Sequence, residues 1–131
     1  MYIAYLKKVQ AIMITSFLKN VKQSLYSLTP YGELTFFGDS EYELSKQNYR
    51  ELRDWCKNLN TALIYIWIDK KNLSYKTSKV IMQLFFDLEK YQRTSKTIVQ
   101  WTMNKGDSAM MQTAESFKNL FPHVTFIIKE G

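Results

Sequence analysis

The sequence predicts an α/β domain. Its sheet has four or five strands, mostly parallel, with an antiparallel edge pair and three or four helices. Three observations carry this reading. From residue 45 onward, segments with apolar residues at three- and four-residue steps alternate with short runs rich in branched and aromatic residues. Ahead of them, "YSLTPYGELTFFG" reads as two short strands about a turn. Glycine and proline fall between the elements, at Pro30, Gly32, Gly38, Gly106 and Pro122.

Leu25–Leu28 forms the first short strand, and the Pro30–Gly32 turn folds the chain back into a second over Glu33–Phe37. "SKQNYRELRDWCKNL" is a helix with Tyr49, Leu52, Cys56 and Leu59 on one stripe, widened by Trp55. "ALIYIWI" is apolar on both alternating sets, as expected of a strand buried on both faces. "TSKVIMQLFFDLEKYQ" is a second helix, capped by Thr77 or Ser78, with Val80, Ile81, Leu84, Phe85, Leu88 and Tyr91 facing inward. "KTIVQWTM" is the next strand. Asp107 or Ser108 caps a third helix whose stripe is Met110, Met111, Ala114, Phe117 and Leu120, and "VTFIIKE" closes the sheet. Strands separated by helices lie parallel and are joined by right-handed crossovers.

The 131 residues fit one domain over 25–131, preceded by an amphipathic segment over 1–24. In that segment Ile3, Leu6, Ile14, Phe17, Leu18 and Val21 share parts of a face with lysines elsewhere, suited to docking on the domain or on a partner. The lysines break up any signal-peptide core, and no run reaches the ~20 apolar residues of a membrane span. A single cysteine, Cys56, excludes an internal disulfide and a cysteine zinc cluster, and the expected compartment is a reducing cytoplasm. His123 is the only histidine, which leaves no material for His-based metal or triad chemistry. With no glycine-rich phosphate loop and only scattered carboxylates, the sequence predicts neither an enzyme nor a cofactor. Trp55, Trp67, Trp101 and Cys56 read as core, and His123 as a surface residue.

The net charge of +6 is unevenly spread. Residues 1–30 carry four lysines and no acid, and residues 69–105 carry eight bases against three acids. Such regions suit nucleic acid, anionic lipid or an acidic protein partner.

The richest stretch for function is "NLSYKTSKVIM", residues 72–82, between the apolar strand and the second helix. It places four hydroxyls, Ser74, Tyr75, Thr77 and Ser78, beside Lys76 and Lys79. A phosphate here would add about −1.5 to −2 charges where a helix N-terminus and two lysines favour it. A capping hydroxyl explains the same residues without modification, at roughly 1 kcal/mol. Glu43, just ahead of the first helix, reads either as a first-turn acid favouring the helix dipole or as a surface acid facing a partner.

"GDSEYELSKQNYRELRDW" is similar to a motif of the SiaC-type bacterial regulatory phosphoproteins, with Gly38, Ser40, Glu43, Tyr49 and Trp55 at corresponding positions. "SYKTSKVIMQLFFDLEK" and "TIVQWTMNKGDSAMMQTAESFKNLFPHVTFI" resemble the next two landmarks in order, including Lys79, Glu115, Phe117 and Phe121–Pro122. The resemblance implies a STAS-like fold of the anti-anti-sigma kind. It also implies a non-enzymatic signalling adaptor that binds a kinase, a phosphatase or an output enzyme such as a diguanylate cyclase. Ser40, Glu43, Lys76 and Lys79 are its partner-binding candidates. Three positions depart from the pattern: Tyr75 stands at the phosphorylated threonine, Ser74 at the preceding asparagine and Tyr42 at a proline. The alternative is a basic nucleic-acid-binding module, although its basic segments lack the aromatic interleaving of a single-strand groove. The N-terminal segment also leaves room for self-association into a homodimer.

Overall fold

Alternation of apolar residues along the strands builds two continuous apolar rows, buried through β2, β3 and β4 and half-buried at β5. In the computed structural model, which describes residues 25–38, 43–70 and 72–131, Leu34, Ile66, Val99 and Phe126 form one row across the sheet. Phe36, Ile68, Trp101 and Ile128 form the next. The elements are β1 (Tyr26–Leu28), β2 (Glu33–Gly38), α1 (Lys46–Asn58), β3 (Leu63–Lys70), α2 (Tyr75–Tyr91), β4 (Lys96–Met103), α3 (Ser108–Leu120) and β5 (Thr125–Glu130). The sheet order is β1-β2-β3-β4-β5, with β1 antiparallel to β2 and all other pairs parallel. Five strands with one antiparallel edge pair, and three helices among the described residues, agree with the expected architecture.

The β1–β2 turn depends on Gly32, whose φ is +90°. A side chain there would meet Leu63 O and Thr61 Cγ2 at 2.8 Å, and the Gly32 carbonyl accepts from Tyr65 N–H at 2.8 Å. Glycine supplies both the positive φ and the close approach that lets the hairpin lie against β3.

Strand order and chain order coincide, so each right-handed crossover deposits its helix on the same side of the sheet. The inner faces of α1, α2 and α3 join the buried strand rows in one cluster. At its centre Phe85 meets Phe117 and Phe121 edge-on at 5.6 and 5.4 Å, and Phe117 meets Trp101 at 5.2 Å. Such edge-to-face geometry adds about 0.5–1.5 kcal/mol per pair to simple burial.

This topology corrects one expectation. Ile64, Ile66 and Ile68 are fully buried, but the alternate set of β3 is not: Leu63 is 46% exposed and Tyr65 and Trp67 are half-buried. All three helices of the described residues lie on the other face. On the second face Tyr65 stacks on Trp67 at 4.3 Å and donates its hydroxyl hydrogen bond to Gln100 Oε1 at 3.2 Å. Tyr91 and Leu120, expected inward, are 37% and 49% exposed. Each is the last residue of its helix, past the final buried positions Leu88 and Phe117. The expected amphipathic segment over 1–24 and the candidate Ser40 lie outside the described residues.

Candidate functional site

Parallel strands end at one edge of the sheet, and the helices that follow them begin there. The N-termini of α1 and α2 are therefore neighbours at the C-terminal ends of β2 and β3, where open α/β sheets commonly place ligand and partner contacts.

Each start is fixed by local capping. Ser45 and Asn48 form a capping box on α1: Ser45 Oγ accepts from Asn48 N–H at 3.1 Å, and Ser45 N–H donates to Asn48 Oδ1 at 2.9 Å. On α2 the cap is Ser74, whose Oγ accepts from Thr77 N–H at 3.1 Å. The helix thus starts at Tyr75, two residues before the predicted start, and neither Thr77 nor Ser78 is its cap. Thr77 is instead fully buried, and its Oγ1 accepts from Leu44 N–H at 3.3 Å, clipping the segment before α1 to α2.

The four hydroxyls therefore occupy different environments. Tyr75 is 81% exposed, Ser74 and Ser78 are half-buried, and Thr77 is sealed beneath the Leu44 segment. Glu43 does not stand in the first turn of α1; it precedes the cap and pairs with Lys76 across 3.6 Å. Both partners of that pair are well exposed, so it contributes at most about 1 kcal/mol. Lys79 lies exposed on the next turn of α2. Glu43, Ser74, Tyr75, Lys76, Ser78 and Lys79 thus gather at one end of the molecule, with Thr77 beneath them.

Two depressions flank this end. One, of about 250 Å³, lies between the starts of α2 and α3 and is lined by Asn72, Ser74, Asp107, Met110 and Thr113. The other, of about 410 Å³, lies between α1 and α2. Leu44, Tyr49 and Val80 supply its apolar surface, and Lys46, Lys76 and Lys79 its cations. Sequence reasoning missed Leu44, Lys46 and Tyr49 as part of this region. The signal for Lys46 was its place directly after a Ser cap, but only the parallel topology brings that helix start beside the other.

Below the groove, Tyr49 donates its hydroxyl hydrogen bond to Asp87 Oδ2 at 2.7 Å, tying α1 to α2. Partial burial, then the hydrogen bond to Asp87 and its negative charge, push the Tyr49 hydroxyl up to about 12. Burial, and secondarily the Asp87 charge, push the Cys56 thiol up to about 12, so this buried cysteine is held as the unreactive thiol. No group of three or more His, Cys, Asp or Glu side chains among the described residues could hold a metal ion. No helix among them is long and apolar enough to cross a membrane.

The SiaC family of regulatory phosphoproteins has a model that matches residues 28–131. The match spans β2 to β5 and the three helices of the described residues, and the chain belongs to this family. Comparison with curated proteins finds no match. Among solved structures, the fold is similar to a chain of the crystal structure of the diguanylate cyclase SiaD in complex with its activator SiaC from Pseudomonas aeruginosa. There the TM-score is 0.68 at 19% identity, covering 83% of this chain and 94% of that one. It is also similar to SiaC of Pseudomonas aeruginosa, with a TM-score of 0.63 at 19% identity, covering 76% and 83% of the two chains.

Proposed function

We propose that this SiaC-family chain is a cytoplasmic, non-enzymatic adaptor that binds a signalling protein through the surface around the start of α2, and that phosphorylation there weakens the contact. The observation that carries this is the meeting of family and site. A chain from a family of regulatory phosphoproteins presents hydroxyls and lysines together at a helix N-terminus. The partner proposed is an output enzyme of the diguanylate cyclase kind, because the structural neighbour SiaC is described as the activator of such an enzyme.

The geometry ranks the hydroxyls. A kinase reaches Tyr75 directly and Ser74 at the edge of the helix. Thr77 would first have to leave its buried position and surrender the Leu44 bond. A phosphate on Ser74 would sit at the positive end of α2, where the dipole and unpaired N–H groups favour it. On Tyr75 it would project outward and meet a docked partner with charge and bulk. Glu43, Lys76 and Lys79 line the same surface and form its partner contacts in this reading, and Ser40 remains a candidate from the sequence motif alone.

The test is mass spectrometry of the peptide spanning residues 72–79, from protein isolated from its own cells, combined with affinity capture of diguanylate cyclases from those cells. Phosphate on Ser74 or Tyr75, with cyclase bound to the unmodified form alone, supports the proposal. A phosphate confined to Thr77, or equal capture by both forms, overturns the switch. Repeated failure to capture any cyclase overturns the partner.

A further inference from the structure

The three helices of the described residues pack on one face of the sheet, and the opposite face is apolar at its centre. Leu63, Tyr65 and Trp67 stand on it along β3, with Ile98 opposite Tyr65 on β4 and Ile127 on β5. Leu63 and Ile127 are 46% and 37% exposed, and Tyr65, Trp67 and Ile98 are half-buried. Parallel sheets are normally covered on both faces, because apolar surface left in water costs free energy in proportion to its area. Charge is divided across the same face: Glu33 and Asp69 stand over β2 and β3, Lys96 and Lys129 over β4 and β5. The chain ahead of β1 offers the complement. Residues 1–24 carry Ile14, Phe17, Leu18 and Val21 at helical spacing, together with Lys7, Lys8, Lys19 and Lys22 and no acid. They join the sheet at its β1 edge, where Leu25 O accepts from Phe37 N–H at 3.3 Å. Phe37 is in register with Asp69, so the segment enters over the acidic half of the face. Five strands set about 19 Å between β1 and β5, a distance that about 13 helical residues span.

We propose that residues 1–24 fold back as an amphipathic helix across this open face of the sheet. Ile14, Phe17, Leu18 and Val21 would lie against Leu63, Tyr65, Trp67 and Ile98, with the lysines toward Glu33, Asp69 and solvent. Tethering selects this occupant. A joined segment acts at an effective concentration on the order of millimolar, whereas a second copy or a separate partner must also offset its lost translational and rotational freedom. The inference does not draw on the adaptor reading, whose surface belongs to the helices on the other face.

The test is NMR on the full chain with labelled Ile, Leu and Val methyl groups. Nuclear Overhauser contacts are expected between the methyls of Ile14 or Leu18 and those of Leu63, Ile98 or Ile127. A mixture of labelled and unlabelled chains, read with an isotope filter, separates contacts within one molecule from contacts between two. Contacts within one molecule support the proposal. Contacts found only between molecules would make the face a dimer interface and overturn it. Segment contacts to the helix layer, or none to the open face, would overturn it as well. Two variants sharpen the result. Leu18→Asp should abolish the contacts and expose the Leu63 and Ile98 methyls to a soluble paramagnetic probe, while Lys8→Ala changes neither. Leu63→Asp, at a position already exposed, spares the core and should release the segment from the other side. Unchanged Ile81 and Leu84 methyl shifts report that the fold is kept. A face as protected in both folded aspartate variants as in the native chain would show that something else covers it, and the proposal would fall.

Discussion

Where the parallel strands begin, side chains of one element close the backbone of another. Trp55 Nε1 donates to Thr29 O at 2.6 Å, and Gln92 Nε2 to Cys56 O and Leu59 O at 2.8 and 3.0 Å. Ser95 Oγ donates to Thr61 O at 2.6 Å. Where the strands end, polar side chains turn back on their own helices: Ser45 and Asn48 on α1, Ser74 on α2, and Asp107 on α3, which accepts from Met110 N–H at 3.0 Å. The bond that crosses between elements there, Leu44 N–H to Thr77 Oγ1, is longer at 3.3 Å and is accompanied by an exposed ion pair. The first end uses its hydrogen bonds to hold the fold. The second leaves its loops and lysines available to a partner. Both belong to the same three crossovers, so the division of labour follows from which end of each helix is presented, and not from separate domains.

Substitutions should therefore separate stability from binding according to the end they touch. The largest effect is expected of Trp55→Ala, which empties core volume and removes the shorter of the two hydrogen bonds to the Thr29 carbonyl. It should lower unfolding free energy by about 3–5 kcal/mol in denaturant titrations, while partner affinity per folded molecule stays constant. Lost affinity in the folded fraction would break the comparison.

Tyr49→Phe probes the boundary between the two ends. It leaves the buried Asp87 carboxylate without its hydroxyl donor, at about 1.5–3 kcal/mol. It also carries a signature in pH. The Tyr49 hydroxyl is raised from 10.0 to about 12, so the folded chain keeps a proton that the unfolded chain loses. Its contribution is complete below pH 10 and is lost as pH rises through about 12. Stability of the native chain should fall across that window, and Tyr49→Phe should remove part of the slope.

Ser74→Ala removes the α2 cap and should cost about 1 kcal/mol, with Ser74→Asp keeping most of it. Equal losses in both variants would show that the hydroxyl does more than cap. The smallest stability change is expected of Lys76→Ala, within about 0.5 kcal/mol, because its ion pair is exposed. Partner affinity should nevertheless drop, and its dependence on salt should become shallower.

Much of the first end was legible in the sequence. Pro30–Gly32 marks the hairpin, and the spacing of Leu52, Trp55 and Cys56 marks the inner face of α1, because turn chemistry and periodicity are local signals. The second end was legible in composition but not in detail. Ser74, Thr77 and Ser78 are all competent caps. The choice of Ser74 goes with the burial of Thr77 against Leu44, 33 positions away in sequence. In sequence Glu43 reads as a first-turn acid or as a surface acid facing a partner; it precedes the Ser45 cap, and only the fold brings it beside Lys76. The apolar alternate set of β3 suggested burial on both faces, but strand order decides where helices lie, and that order is not written in any one segment.

The coincidence of strand order with chain order also bears on synthesis. β2 pairs with β1 just before it, and each of β3, β4 and β5 adds to the edge left by its predecessor. Among the described strands, none must be inserted between two that already exist. As the chain leaves the ribosome, every new strand–helix unit finds its docking edge already made, and the growing end of the sheet is always the most recently synthesised strand. Assembly can keep pace with translation, and β5, the last of the five described strands, adds to its edge without rearranging anything built before it.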